Sequence, residues 1–202
     1  MLQYRVLIYL FLAMNLYHDI PLGNEDLTEV NAVLEIPMGS RVKYEFDYNT
    51  GAIWVDRVGK TPINYTFNYG DLPQTWNEGD NDPLDIIILC KEPLAVGSVV
   101  PCRVIGGLKM IDSGEDDYKV LAVADDKYYY DVESPEDVDK NELDDIAYYM
   151  LHYKDIHGKR KKYLSTGEFG SEEVSLHGWD SRENAVAKLK ECHEAYKVKF
   201  GK

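Results

Sequence analysis

The stretch Asp80-Asn81-Asp82-Pro83-Leu84-Asp85-Ile86-Ile87-Ile88-Leu89-Cys90 sets three carboxylates in six residues and then turns apolar. A short Ile/Leu-rich run bounded by turn formers reads as a buried strand. Pro83 lacks an N–H and has a fixed φ, so the residues before it belong to a loop or the start of a strand. The carboxylates are therefore expected at the mouth of a strand, pointed into a cleft. Anions this close repel one another unless a cation lies between them. Hard divalent ions with oxygen ligands, Mg²⁺ above all, meet that need. The plain alternative is a solvated acidic loop. A helix–loop–helix calcium loop fails, because Leu84 and Asp85 stand where it needs a ligand and a glycine.

Outward from this stretch, a second cluster repeats its layout. Asp112-Ser113-Gly114-Glu115-Asp116-Asp117-Tyr118-Lys119 leads into the apolar strand Val120 to Ala124. Two such clusters are harder to dismiss as solvated loops than one. Upstream, Asn31 to Ile36 reads as a strand ending at Pro37. In Arg41 to Asp47, Val42, Tyr44 and Phe46 alternate with charged residues, which predicts a half-buried strand. Asn49-Thr50-Gly51 turns it into Ala52 to Arg57 as a hairpin. Asn64 to Gly70 reads as an aromatic loop whose tyrosines either pack or donate to an anion. Gly97 to Met110 forms a long strand or bent pair interrupted by Gly106-Gly107, as a barrel corner requires.

Helix signals come late. Asn141 is expected to cap a helix with Leu143, Ile146, Ala147 and Met150 at helical spacing. Tyr149 and Tyr153 share a neighbouring face beside Lys154, and His157-Gly158 with the basic run Lys159 to Lys162 ends that helix. A last helix starts at Ser181 and buries Val186, Leu189, Cys192 and Tyr196. The fold class is thus α+β, mainly β: a barrel with glycine corners and two packed helices.

The 202 residues suffice for one domain with a hydrophobic core, and 45% apolar content excludes a disordered chain. A net charge of −14 argues against nucleic acid and anionic membranes as partners. Cys90, Cys102 and Cys192 lack C-x-x-C spacing, which suits free thiols in the reducing cytoplasm. Arg5 and the apolar run Val6 to Met14 have the outline of a short signal peptide, but no small-residue cleavage site follows and the run is too short to span a bilayer. Residues 1–13 are taken as an extension, disordered or upstream of the natural start, and 14–202 as the domain. The five histidines show no ligand spacing and are expected to be structural.

The two acidic clusters, with Glu35 and Glu45, stand against Lys43, Arg57, Lys119, Lys154, Tyr69 and Tyr153. Carboxylates alone would suit a metal store. Interleaved with cations and tyrosines, they suit a small, highly charged oxyanion bridged to divalent ions. No Gly-rich phosphate loop and no Ser-His-Asp or Cys-His set is present.

Asp80-Asn81-Asp82-Pro83-Leu84-Asp85 resembles the D-x-D-P-L-D signature of the soluble inorganic pyrophosphatases of family I. In order and spacing, so do Glu35-Ile36-Pro37, Lys43-Tyr44-Glu45, Val55-Asp56-Arg57, Asn68-Tyr69-Gly70, Lys109-Met110, Asp117-x-Lys119 and His152-Tyr153-Lys154. The resemblance implies a five-stranded, closed barrel of the oligonucleotide-binding (OB) type and Mg²⁺-dependent hydrolysis of pyrophosphate to two phosphates, with several Mg²⁺ per site. It implies Asp80, Asp85, Asp112 and Asp117 as metal ligands, supported by Glu35 and Glu45, and Asp82 as general base on the attacking water. Lys43, Arg57, Tyr69, Lys119, Tyr153 and Lys154 would hold the phosphoryl groups. It also implies a homo-oligomer, with a hexamer favoured over a dimer. Thr66, Asn81 and Ser113 depart from the residues common in the family, and Lys161 to His177 is longer than in compact bacterial members. A different metal-dependent phosphohydrolase is the competing enzyme reading, and a nucleic-acid-binding barrel the non-catalytic one.

Overall fold

Five strands of a computed structural model close into a ring, β1-β4-β5-β8-β6, through a pairing of β6 back onto β1. The structure describes residues 14–59, 61–124, 127–154 and 174–201. The expected extension 1–13 and the basic run Lys159 to Lys162 lie outside the described residues. The ring strands are β1 (Glu29–Ile36), β4 (Asn68–Asp71), β5 (Asp85–Leu89), β6 (Val99–Asp112) and β8 (Lys119–Ala124). The two-residue β7 (Glu115–Asp116) and β9 (Val174–Asp180) pair with β6, while β2 (Val42–Asp47) and β3 (Ala52–Val58) form a separate hairpin. Among the described residues the α-helices are α1 (Lys140–His152) and α2 (Arg182–Phe200). The mainly β ring with two helices agrees with the expected fold class.

Every strand neighbour in the ring is antiparallel except β5 and β8, which run parallel with Asp85 opposite Lys119. Their sequences are apolar without alternation because both faces are buried, as parallel strands require. Ile86, Ile88, Val120 and Ala122 pack with β1, β6 and the α2 residues Ala185, Leu189 and Cys192. Ile87, Leu89, Leu121 and Val123 pack on the other face with Ile146, Tyr149 and Met150 of α1. Each fully buried isoleucine of β5 contributes roughly 1.5–3 kcal/mol relative to exposure.

The bend expected at Gly106-Gly107 is a register shift between Val104 and Gly106 against β8. A Cβ on Gly106 would sit 2.5 Å from the Asp180 carbonyl oxygen, so β9 approaches too closely for any side chain there. Three local readings are corrected. Asp139, not Asn141, caps α1: its carboxylate accepts from the Asn141 N–H at 2.8 Å. The aromatic loop ends as strand β4 from Asn68 onward, because β1 and β5 pair with it on both sides. In β2 only Phe46 is buried, since the hairpin stands apart from the ring and covers its apolar face incompletely.

The last helix starts as expected at Ser181, whose hydroxyl accepts from the Asn184 N–H at 3.3 Å. Ala185 joins Leu189, Cys192 and Tyr196 on the buried stripe, and Val186 is only partly buried. His18 and His193 hold Tyr196 Oη at 2.8 Å and the Gln74 carbonyl at 2.7 Å, in keeping with structural roles. All three cysteines are free thiols. No helix among the described residues is long and apolar enough to cross a membrane.

Candidate active site

The parallel pairing of β5 and β8 decides where the acidic loops meet. Each loop precedes one of these strands, so parallel neighbours deliver both loops to the same end of the ring. Strand parity then aims the side chains. Asp85 shares the face of Ile87 and Leu89, Lys119 that of Leu121 and Val123, Asp112 that of Leu108 and Met110, and Tyr69 lies on β4 beside them; all look toward α1.

Two bulges complete the set. Leu34 pairs with Gly70 and Ile36 with Tyr69, so Glu35 is the extra residue of β1, and it is buried. Its carboxylate accepts from the Phe46 N–H at 2.5 Å, which ties the hairpin to the ring. In the hairpin Lys43 pairs with Arg57 and Tyr44 with Val55, so Asp56 is extra and Arg57 comes onto the face of Lys43 and Glu45. Bulges of this kind re-aim side chains near functional sites.

The result is a cavity of about 210 Å³ that all thirteen predicted site residues line: Glu35, Lys43, Glu45, Arg57, Tyr69, Asp80, Asp82, Asp85, Asp112, Asp117, Lys119, Tyr153 and Lys154. Asp80, Asp85 and Asp117 each bring one carboxylate oxygen within 4.8 Å of the others. That span suits one divalent cation, and an all-carboxylate donor set suits a hard one. Asp112 lies apart from this trio, held by Lys154 Nζ and by the Tyr153 hydroxyl, which donates to it at 3.2 Å. The buried Lys119 ammonium contacts both Asp85 and Asp117. Lys43 and Glu45 form an ion pair at 2.7 Å, and Arg57 pairs with its neighbour Asp56 at 2.6 Å.

Crowded acids push one another's protons on. Burial, then Asp85 and Asp117, raise Asp80 to about 7. Burial, then Asp85 and Glu45, raise Asp82, at the open mouth, to about 7. Burial and the adjacent Glu45 take Glu35 to about 8. Asp85 is also raised, because burial outweighs its contact with Lys119. Asp117 goes the other way: burial opposes its charge, but Lys119 prevails and holds it below the usual range. Burial likewise opposes the Lys119 charge, and Asp85 and Asp117 overcome it. Burial first and neighbouring carboxylates second lift Tyr69 and Tyr153 well above the ordinary phenol value, so both stay hydrogen-bond donors.

The first acidic loop is built around a residue the sequence did not single out. Asn77 donates its side-chain N–H to the Asp116 carbonyl at 2.9 Å, joining the two acidic loops. Its backbone N–H donates to the Asp82 carbonyl at 2.8 Å, and its carbonyl accepts from the Asn81 N–H at 3.0 Å. Asn81 adopts φ +60°, in the left-handed region that glycine reaches freely and asparagine more readily than most other residues. Tyr65, Asp71, Ser113, Glu115, Tyr149 and Met150 also line the cavity. Asp71 was legible in principle, being two residues beyond Tyr69 on the same strand face, had Asn68 to Asp71 been read as a strand.

Comparison with known proteins places this arrangement among relatives. A family model described as inorganic pyrophosphatase matches residues 32–197. The inorganic pyrophosphatase of Aquifex pyrophilus is 36% identical over 184 residues, covering 90% of this chain and 97% of that protein. The crystal structure of the inorganic pyrophosphatase from Thermus thermophilus superposes with a TM-score of 0.79 at 34% identity, covering 91% of this chain and 99% of that one. An N-terminally truncated Trypanosoma cruzi vacuolar soluble pyrophosphatase, crystallised with PPi, gives a TM-score of 0.78 at 26% identity, covering 92% and 79%.

Proposed function

Because this chain belongs to the inorganic pyrophosphatase family, a family of hydrolases, we propose that it hydrolyses pyrophosphate to two orthophosphates with Mg²⁺, using Asp82 as general base. The observation that carries this reading is the convergence of Asp80, Asp85 and Asp117 within 4.8 Å, beside cations that would otherwise be wasted on a metal store.

Asp80, Asp85 and Asp117 would hold a cation, and Asp112 would contribute at the neighbouring edge. When bound, Mg²⁺ supplies Lewis acidity toward water and neutralises phosphoryl oxygens. The chain's own groups do the rest. Lys43, Arg57, Lys119 and Lys154 offer donors to the equatorial oxygens of a diphosphate, and Tyr69 and Tyr153 add neutral ones. Lys119 and Lys154 contact Asp85, Asp117 and Asp112, which supports a role for those ammonium groups between the carboxylates and a bound diphosphate. Asp82 stands at the mouth with a carboxyl value near 7, the range in which a base accepts a proton from water and releases it again at neutral pH. Free thiols throughout fit a cytoplasmic enzyme.

The test is release of phosphate from pyrophosphate with and without Mg²⁺, against nucleoside triphosphates as competing substrates. Chelation should abolish it. Faster turnover of a nucleotide would replace this reading with a different phosphohydrolase.

A further inference from the structure

Asp71 is the last residue of β4, buried to 8% exposure, and it lines the same cavity. It lies two residues from Tyr69 and directly across the strand pair from Asp85. The acids that act on it most strongly are Glu35, Asp85, Asp82 and Glu45. Among the described residues no hydrogen bond or ion pair reaches its side chain, unlike Asp85 and Asp117, which Lys119 compensates. A buried carboxylate is retained at a cost unless something cationic or hydrogen-bonding meets it. Because Asp71 lines the cavity, a partner bound there can reach it.

Asp71 does not belong to the tight trio of Asp80, Asp85 and Asp117. Mg²⁺ sheds its waters reluctantly and usually keeps several. A carboxylate paired across the strands from Asp85 can therefore reach such an ion through its water shell. We infer that Asp71 is a positioning residue for a divalent cation in this site, accepting hydrogen bonds from the ion's waters at the floor of the cavity. The inference rests on the pyrophosphatase reading for its site and extends that reading to a residue the sequence motifs do not include.

The test pairs Asp71→Asn with Asp71→Ala, and uses thermal unfolding and calorimetric Mg²⁺ titration of the full chain beside phosphate release. Loss of an unpartnered buried anion should raise the melting temperature of the metal-free protein. The same loss should weaken Mg²⁺ binding about 10–100-fold, the range typical of residues that support metal ligands, and shrink the rise in melting temperature that Mg²⁺ produces. A residue with only a packing role would not move these two readouts in opposite directions. Asp71→Glu, which keeps the charge, should recover part of the affinity. The inference is overturned if both variants bind Mg²⁺ like the wild type, or if neither folds, since that would make Asp71 structural. Absence of Mg²⁺-dependent phosphate release in the wild type would instead overturn the pyrophosphatase reading.

Discussion

Replacing Lys119 with methionine removes an ammonium group that contacts both Asp85 and Asp117, at a site where the lysine is only 3% exposed. Methionine keeps most of the volume, so packing changes little and the electrostatic consequence dominates. In the metal-free variant the half-buried Asp117 must lose its charge or keep it without its main compensating partner. Neutralising a carboxyl of ordinary value 3.8 at pH 7 costs about 4 kcal/mol, at ~1.4 kcal/mol per pH unit. That matches the roughly 3–5 kcal/mol seen when one partner of a buried ion pair is deleted. For a chain of this size it corresponds to a fall in melting temperature of roughly 6–20 °C.

At pH 5 protonation is easier and the penalty should shrink to about 1.5–2 kcal/mol. Divalent cation supplies the missing positive charge, so Mg²⁺ should raise the variant's melting temperature by more than it raises that of the wild type. The assay is thermal unfolding followed by circular dichroism at pH 5 and pH 7, in chelator and in excess Mg²⁺. A metal-free destabilisation below about 1 kcal/mol at pH 7, or an equal Mg²⁺ response in both proteins, would refute the compensation argument.

Asp82→Asn should lower kcat by about 10²–10⁴-fold, the usual contribution of a general base, while leaving the Mg²⁺-induced gain in thermal stability in place; loss of that gain would mark Asp82 as a metal ligand. Gly70→Ala would set a Cβ 2.1 Å from the Val33 carbonyl oxygen, so β1 must move off β4, at a cost of at least about 1–3 kcal/mol in denaturant unfolding. An unchanged midpoint would show that the strands separate freely. Glu35, Asp80 and Asp82 have raised values in the folded protein, so their stabilising contribution is full below about pH 4 and is lost as pH rises through about 7 to 8. The metal-free protein should therefore lose stability from these groups between pH 5 and 8, and Mg²⁺ should reduce that loss. A melting temperature that climbs over this window in chelator would contradict the crowding of acids.

Much of the site was legible before any coordinates. Pro83 and the apolar run behind it place Asp80, Asp82 and Asp85 at a strand mouth, and the same syntax recurs from Asp112 to Ala124. Gly106-Gly107 marks the bend of β6, and Ser181 the start of α2. Local chemistry decides such features, because a proline, a glycine pair or a capping hydroxyl acts within a few residues. Other local readings failed where tertiary contacts overrode them. Asn68 to Asp71 looked like loop until β1 and β5 flanked it, and the Arg41 to Asp47 pattern could not show that its hairpin stands off the ring.

The chain alone thus determined which side chains are available and which strand ends carry them, since composition and turn chemistry are properties of short segments. Only the tertiary structure decided that β5 and β8 lie side by side in parallel, which brings two acidic loops, starting at Asp80 and Asp112, to one mouth. It alone inserted the extra residues Glu35 and Asp56 that turn Glu35 and Arg57 toward the cavity. It alone left Asp71 buried with no hydrogen bond or ion pair to its side chain among the described residues. Pairing register is a long-range choice, and a side chain's direction has no meaning until that choice is made.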